Sequence, residues 1–322
     1  MGSFFFVNLE ITYGARRNIA VSFSKLGLQR YSKRNQDFAG NIDGSRKEYR
    51  IMSNPLSSVE PWSLVAEGYT KSTKQFLEAY SLKAMDLLGL KSDEIVLDVA
   101  AGPGTLAIPL SKSVKEVYAI DFSPAMIDEL KKGTKEANVQ NVFPLVMDGQ
   151  KLEFPQDHFD GAFSMFGLMF FPDKLQGLKE IYRVLKPGKK VAVSGWAPVA
   201  NSPLMQFLFG ALRKANPEIP EPQTNVSSFE NPEFFREQLT EAGFQEIDIL
   251  PFSNSIEITD AETFLDSMIE GGAPLQWMKS KMKESVWNEK RRIMLEHVQS
   301  QLKQLPISLS SEAYIAVAKK PN

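Results

Sequence analysis

The residues with the clearest chemical potential lie around one glycine turn. Asp98 lies inside an apolar run that leads to Gly102 and Gly104, and Asp121 ends the next apolar run. Glycine has no Cβ and adopts positive φ angles, so a ligand can lie directly against such a turn. A carboxylate at a strand end can accept hydrogen bonds from both hydroxyls of a ribose. A helix expected from Thr105 would add free N–H groups and a positive dipole end.

This turn alone fits two kinds of cofactor. Gly102, Gly104 and Ala107 match the G-x-G-x-x-G/A pattern of dinucleotide binding, and Asp121 follows near the expected spacing of about 20 residues. A nicotinamide-dependent oxidoreductase therefore stays a candidate. Asp98 favours a different reading, because dinucleotide folds usually place an apolar residue at that strand position.

The elements that must position these residues alternate along the middle of the chain. Apolar runs predict strands at 94–100, 116–121, 141–148, 158–166, 189–196, 244–250 and 311–320. Amphipathic segments predict helices at 62–90, from 105, and at 123–137, 173–185, 204–215, 232–243 and within 260–304. Continuous apolar strands alternating with helices indicate an α/β fold, with a parallel sheet covered on both faces.

A third acid, Asp148, ends the third predicted strand and precedes Gly149. With it, the chain resembles the class I S-adenosylmethionine-dependent methyltransferases. Their motifs are matched by VLDVAAGPGTLA (96–107), AIDFSPAMI (119–127), VMDGQKLEFPQDHFD (146–160) and RVLKPGKKVAVS (183–194). The resemblance covers about residues 60–255 and is strongest to the ubiquinone/menaquinone-biosynthesis-like group of small-molecule enzymes. It implies a Rossmann-like, doubly wound, mostly parallel seven-stranded sheet with helices on both faces and a helical cap.

The resemblance also implies S-adenosyl-L-methionine as the cofactor, with its methionine end on the glycine turn. The backbone at Ala100, Gly102 and Gly104 would line the methionine moiety, and Asp98 would bind its ammonium group. Two residues that follow the fourth strand, Met165 and Phe166, would lie near the sulfonium.

The same resemblance assigns the nucleoside end of the cofactor to the next two strand ends. Asp121 would hold the ribose hydroxyls, and Phe122 with Met126 would pack on the adenine. Asp148 would accept a hydrogen bond from the adenine amino group, with Gly149 beside it.

Composition narrows the remaining chemistry. The chain has 322 residues, no cysteine and only two histidines, His158 and His297, which argues against disulfide scaffolds, thiol catalysis and multi-histidine metal sites. Methyl transfer from a sulfonium requires no metal, since the protein chiefly has to orient the nucleophile and exclude water. No general base is evident: Tyr69 and Asp173 are candidates, each better explained by a structural role. A net charge of −2 gives no electrostatic case for nucleic-acid binding.

Four segments are expected along the chain. Residues 1–51 hold nine Lys/Arg and four Asp/Glu and are interpreted as a basic leader or disordered extension. Residues 52–92 form N-terminal cap helices, 93–200 the cofactor-binding core, and 201–322 further cap helices with the last two strands. The protein is expected in the cytoplasm, or in mitochondria if residues 1–51 act as a presequence.

The segments outside the core indicate the acceptor. Residues 201–230 and 255–305 are rich in Leu, Met and Phe and are expected over the carboxyl edge of the sheet, so a small, apolar or amphipathic acceptor is predicted. The basic cluster at 279–283 and 290–292 is interpreted as a solvated helix face, or as a contact for anionic lipid headgroups. The leading hypothesis is a methyltransferase; the alternatives are an NAD(P)-dependent oxidoreductase and a non-catalytic cofactor-binding scaffold.

Overall fold

The computed structural model describes residues 54–322, so the expected basic leader lies outside the described residues. Within this range one mixed sheet has seven strands in the order β3-β2-β1-β4-β5-β7-β6. The strands are β1 (Ile95–Val99), β2 (Glu116–Asp121), β3 (Val142–Val146), β4 (Phe159–Ser164), β5 (Leu185–Trp196), β6 (Gln245–Ile258) and β7 (Ile307–Lys319). The first five are parallel, and β7 is antiparallel to both β5 and β6. The predicted α/β fold class is confirmed.

Helices cover both faces of the sheet and its carboxyl edge. They are α1 (Val59–Gly68), which continues through a π-helical segment (Tyr69–Thr73) into α2 (Lys74–Leu88), then α3 (Ala107–Leu110), α4 (Pro124–Glu136), α5 (Lys174–Val184), α6 (Pro203–Ala215), α7 (Pro232–Glu241), α8 (Ala261–Gly271), α9 (Ala273–Ser280) and α10 (Glu284–Gln301). Ser123 and Asp173 cap α4 and α5 by accepting backbone N–H groups of the first turn.

The helix after the glycine turn is shorter than expected. Only α3, a single turn from Ala107 to Leu110, is helical, because the chain turns again at 111–113 to enter β2. So short a helix has a small dipole. An anion at this turn would therefore be bound by its backbone amides rather than by the helix dipole.

β6 and β7 are longer than the sequence indicated. Their pairing runs from Gln245 opposite Lys319 to Ile258 opposite Ile307, whereas β5 pairs only with residues 313–319 of β7. Residues 253–258 and 307–312 therefore form a two-stranded arm beyond the rest of the sheet. The arm carries α8, α9 and α10.

The cap, defined as α6 together with α8, α9 and α10, has a hydrophobic core of its own. Buried side chains from three of its helices pack together: Leu204, Met205, Phe209, Leu212, Phe264, Leu265, Ile269, Met294 and Val298. In the described part of the chain, the sheet has two further cores: Leu97 of β1 lies in one and Phe163 of β4 in the other, and both are fully buried. No helix among residues 54–322 is long and apolar enough to cross a membrane.

Candidate functional site

A cavity of about 690 Å³ lies over the carboxyl ends of β1, β2, β3 and β4. Its floor is formed by these strand ends, and its walls by α1, the π-helical segment, α6 and the α8–α9 junction. The volume is typical of a site that encloses a small organic molecule. Of the predicted site residues, nine line this cavity: Ala100, Gly102, Asp121, Phe122, Met126, Asp148, Gly149, Met165 and Phe166.

The glycine turn leaves room for a ligand at one position. Gly102 has a φ of 55°, and a Cβ built there would meet no atom within 4 Å. Its backbone N–H donates to Asp121 Oδ2 at 3.0 Å, which ties the turn to the end of β2. Ala100 also has a positive φ, 58°, a strained conformation for a residue with a Cβ. The turn is therefore held in one conformation beside the cavity.

Gly104 has a different environment from the one expected. It does not line the cavity, and a Cβ at this position would lie 2.3 Å from Leu130 Cδ1 of α4. With a φ of 84° and this close neighbour, Gly104 is required for the packing of the turn against α4.

Asp98 is the most unusual group of the site. It is 1% exposed, and burial together with the neighbouring Asp121 carboxylate raises its pKa well above the usual range. Asp98 Oδ2 and Ser81 Oγ of α2 are buried without a hydrogen-bond partner among the described residues. Both residues, with Thr105, line a hollow of about 30 Å³ that shares Ala100 and Gly102 with the main cavity. Buried polar atoms normally have partners, so this pair indicates a place for a hydrogen-bonding ligand.

Asp121 is buried but well supported. Its Oδ1 accepts the N–H of Ser123 at 2.8 Å and its Oδ2 that of Gly102. Burial raises the pKa of Asp121 to about 6, although both amide donors oppose the shift. The carboxylate retains lone pairs for a ligand in the cavity.

The end of β3 and the start of α4 complete this side. Asp148 is exposed, and its Oδ1 accepts the N–H of Gln150 at 2.9 Å. A Cβ on Gly149 would lie 2.6 Å from the Phe171 ring, so a larger residue would require that ring to shift. Phe122 is half-buried and Met126 is 2% exposed, and both present side chains to the cavity.

The residues that follow β4 also line the cavity. Phe166 has a φ of 59°, and its N–H donates to Ser194 Oγ at 2.9 Å. Its ring packs against Trp196, with centroids 4.4 Å apart. A Cβ on Gly167 would lie 2.2 Å from the Cβ of Ala100, so the strand-end loops of β1 and β4 touch at this point.

Comparison with known proteins identifies this arrangement. A family model described as "Methyltransferase domain" matches residues 96–188. A ubiquinone/menaquinone biosynthesis C-methyltransferase of Rickettsia bellii is 31% identical over 179 residues, which cover 50% of this chain and 72% of that protein. The chain belongs to the class I S-adenosylmethionine-dependent methyltransferases of the quinone-biosynthesis type.

Other relatives of this methyltransferase agree. A demethylmenaquinone methyltransferase of Listeria monocytogenes is 29% identical over 191 residues, 55% of this chain and 81% of the relative. Two solved structures share the fold: the YcgJ protein of Bacillus subtilis (TM-score 0.51, 19% identity, 76% of this chain and 99% of that one) and a protein of Bacillus halodurans (TM-score 0.50, 20% identity, 75% and 99%). The protein is therefore an enzyme that methylates a small molecule, and nothing in these matches supports the oxidoreductase alternative.

The residues present fit S-adenosylmethionine, the cofactor of the family. This molecule carries a cationic ammonium group, and the methyltransferase has two unpartnered buried oxygens, on Asp98 and Ser81, beside the turn. The open space at Gly102 and the supported carboxylate of Asp121 match a ligand that lies along the strand ends.

Of the candidate general bases, Tyr69 lines the cavity and Asp173 does not. Tyr69 lines the cavity, but burial and the nearby Asp121 raise its pKa above the ordinary value, so its hydroxyl is a donor rather than a base. Asp173 is an exposed helix cap, and neither it nor a histidine is among the described residues that line the cavity. His158 is half-buried among aromatic rings, 4.8 Å from that of Phe159.

Sequence reasoning missed Ser81. Its signal was a polar residue on the otherwise apolar face of α2, formed by Leu77, Tyr80, Ala84 and Leu88. A serine in such a stripe is common in helices, so only the burial of its oxygen beside Asp98 distinguishes it.

Three of the six basic residues at 279–283 and 290–292 pair with carboxylates, Lys281 doing so with Glu60. Arg291 pairs with Asp266 at 2.7 Å, and Arg292 pairs with Glu289 and Glu296. Lys281 lies over the Trp277 ring at 3.7 Å. These pairs reduce the positive potential that a contact with anionic headgroups would require.

Proposed function

We propose that the enzyme transfers the methyl group of S-adenosylmethionine to the ring of a quinol-like aromatic acceptor. The observation that carries the proposal is the composition of the cavity. Its charged lining side chains among the described residues, Asp121, Asp148, Lys151 and Glu153, all lie at the ends of β2 and β3 or just beyond, whereas the cap side is apolar. The Rickettsia and Listeria relatives, whose names refer to quinone methylation, support an acceptor of this class.

In this proposal the glycine turn binds the methionine end of the cofactor. Asp98, assisted by Ser81, accepts hydrogen bonds from the ammonium group, which supplies the partner that both oxygens lack. The backbone at Ala100 and Gly102 lines the aliphatic part. We assign Gly104 to packing rather than to ligand contact.

The ribose and adenine lie along the next strand ends. Asp121 accepts the ribose hydroxyls with the lone pairs not used by its two backbone donors. Phe122 and Met126 pack on the adenine, and Asp148 accepts its amino group with Gly149 alongside.

Met165 and Phe166 line the cavity and lie near the sulfonium in the proposal. The bound cofactor supplies an electrophilic methyl group. The protein contributes orientation and exclusion of water, which can supply ~7–11 kcal/mol of the barrier. Tyr69 remains protonated and can donate a hydrogen bond. Because the described cap-side lining offers no base, we expect an acceptor that is electron-rich and readily ionised, such as a hydroquinone.

The test uses methyl-labelled S-adenosylmethionine and a 1,4-naphthoquinol with a geranyl side chain, kept reduced by dithionite. We expect label on the ring of the quinol and none on the oxidised quinone, which is not nucleophilic. The matched control is the Asp121→Asn variant, which should lose transfer through weaker cofactor binding. Tight binding of S-adenosylhomocysteine without labelling of any quinol would overturn the acceptor class.

A further inference from the structure

The carboxylate of Asp148 is held through one of its two oxygens. Its Oδ1 accepts the backbone N–H of Gln150 at 2.9 Å and the side-chain Nε2 of the same residue at 3.3 Å. Among the described residues, no donor contacts Oδ2. Asp148 therefore has one fixed oxygen and one whose lone pairs are available to a ligand in the cavity that it lines.

The orientation of the Gln150 side-chain amide follows from its other contact. Its Oε1 accepts the backbone N–H of Asp173 at 3.0 Å. A backbone N–H can only donate, so the oxygen must face Asp173 and the NH₂ group must face Asp148. A flipped amide would place two donors against each other at one end and two acceptors at the other.

The main chain of Gln150 is held by the first turn of α5. Its carbonyl accepts Nε2 of Gln176 at 3.3 Å, and the backbone N–H of Gln176 is capped by Asp173 Oδ1 at 2.9 Å. The half-buried Gln150 thus uses its N–H, its C=O and both ends of its side-chain amide. The residue links Asp148 to the start of α5.

The same face of α5 fixes the rest of the loop that follows β3. Glu180 and Arg183 come four and seven positions after Gln176, which places them on one side of the helix. Glu180 Oε2 accepts the N–H of Leu152 at 2.8 Å. Arg183 donates to the carbonyls of Leu152 and Phe154, each at 2.8 Å. The loop is therefore bound to a regular element of the fold, which is the support that a precise binding group requires.

We infer that Gln150 is a positioning residue for recognition of the adenine: it holds Oδ1 of Asp148, so that Oδ2 is available to the amino group of the base. The inference rests on the proposed function for the place of the adenine. An exposed aspartate without this contact has more side-chain freedom, and that freedom is lost when the ligand binds. Fixing the carboxylate beforehand reduces this cost.

The experiment compares two ligands that differ only in the amino group of the base. They are S-adenosylhomocysteine and its analogue with hydrogen in place of that group, each titrated calorimetrically into the full-length enzyme without acceptor. We expect the wild type to prefer S-adenosylhomocysteine about 10- to 150-fold, the value of a hydrogen bond to a charged group. In Gln150→Met, which keeps the size but removes the amide, this preference should fall about 2- to 12-fold. The analogue should bind both proteins equally, whereas general damage to the site would weaken both ligands.

A matched control removes a similar contact elsewhere. Gln156 Nε2 donates to Asp157 Oδ2 at 3.0 Å, and Gln156 is not among the described residues that line the cavity. Gln156→Met should therefore leave both affinities unchanged. If Gln150→Met is unstable, Gln150→Glu keeps the acceptor for the Asp173 N–H and replaces only the donor to Asp148, and the same fall in preference is expected.

A double-mutant cycle tests whether Gln150 acts through Asp148. In an Asp148→Ala background, Gln150→Met should change neither affinity further. A further loss there would show that Gln150 contacts the ligand directly, and would overturn the positioning role.

The remaining outcomes separate this inference from the proposed function. If the wild type shows the preference and Gln150→Met keeps it in full, Gln150 has no positioning role and the adenine site stands. If the wild type shows no preference, Asp148 does not bind the amino group, and the inference falls with that assignment. Neither result affects the labelling of a quinol, which is measured separately.

Discussion

Replacing Asp98 by asparagine is expected to move the stability of the free enzyme and its cofactor affinity in opposite directions. Asp98 is 1% exposed and has an oxygen without a partner in the described protein. Asparagine keeps the shape and needs neither a buried charge nor a bound proton, so it avoids the cost that raises the pKa of Asp98. Because an unsatisfied buried polar group costs about 1–3 kcal/mol, and more when charged, the free variant should unfold at a higher temperature.

The effect on binding has the opposite sign. A hydrogen bond to a charged group is worth about 1.5–3 kcal/mol, so loss of the carboxylate–ammonium contact should weaken binding about 10- to 150-fold. Thermal unfolding of the free protein and calorimetric titration with S-adenosylhomocysteine measure the two quantities on the same samples.

The matched variant is Asp121→Asn. Asp121 accepts two backbone N–H groups, so an amide there places a donor against a donor, a loss of about 1–3 kcal/mol that offsets the relief of its buried charge. Asp121→Asn is thus expected to gain less stability than Asp98→Asn. If Asp98→Asn gains no more stability than Asp121→Asn does and binds S-adenosylhomocysteine normally, the assignment of Asp98 to the ammonium is wrong.

Three further predictions follow from the same site. The folded-state pKa of Asp121 is about 6, above its ordinary value of 3.8, so the unfolded chain loses its proton first and this group's contribution to stability falls by about 3 kcal/mol as pH rises from about 4 to 6. Denaturant unfolding across this range checks the slope, and S-adenosylhomocysteine should bind more tightly at pH 7.5 than at pH 5. Gly167→Ala should destabilise the protein by about 1–3 kcal/mol, since its Cβ would lie 2.2 Å from that of Ala100; an unchanged melting temperature would contradict this contact. Ser81→Ala should weaken cofactor binding about 2- to 12-fold without lowering the stability of the free protein, and calorimetry showing wild-type affinity would remove Ser81 from the site.

The sheet was predictable because its central strands are buried on both faces. Val96, Leu97 and Val99 of β1 are fully buried, and the same runs of apolar residues mark β2, β4 and β5 in the sequence. Since parallel strands bring their carboxyl ends to one edge, the positions of Asp121 and Asp148 followed from the strand assignments.

Residue roles that depend on contacts between distant segments could not be predicted from the strand pattern. The sequence pattern predicted that Gly104 binds the ligand. In the structure a Cβ at this position would clash with Leu130, which lies 26 positions further along the chain. Ser81 can be recognised as a candidate site residue only from the packing of α2 on β1, which buries its oxygen near Asp98. The length of β6 was underestimated because its outer half, with Pro251 and several polar residues, is an edge strand without a continuous apolar run.

The two-stranded arm of β6 and β7 has a consequence for how the enzyme can diversify. The register from Gln245–Lys319 to Ile258–Ile307 is fixed by the sheet, and the whole of α8, α9 and α10 is inserted at its tip. Changes of length or sequence within 259–306 therefore need not disturb β1 or β2, which carry Asp98 and Asp121. The same cofactor-binding strand ends can therefore be combined with different cap helices. Substrate preference can change through the inserted segment while the methyl-donor site stays constant.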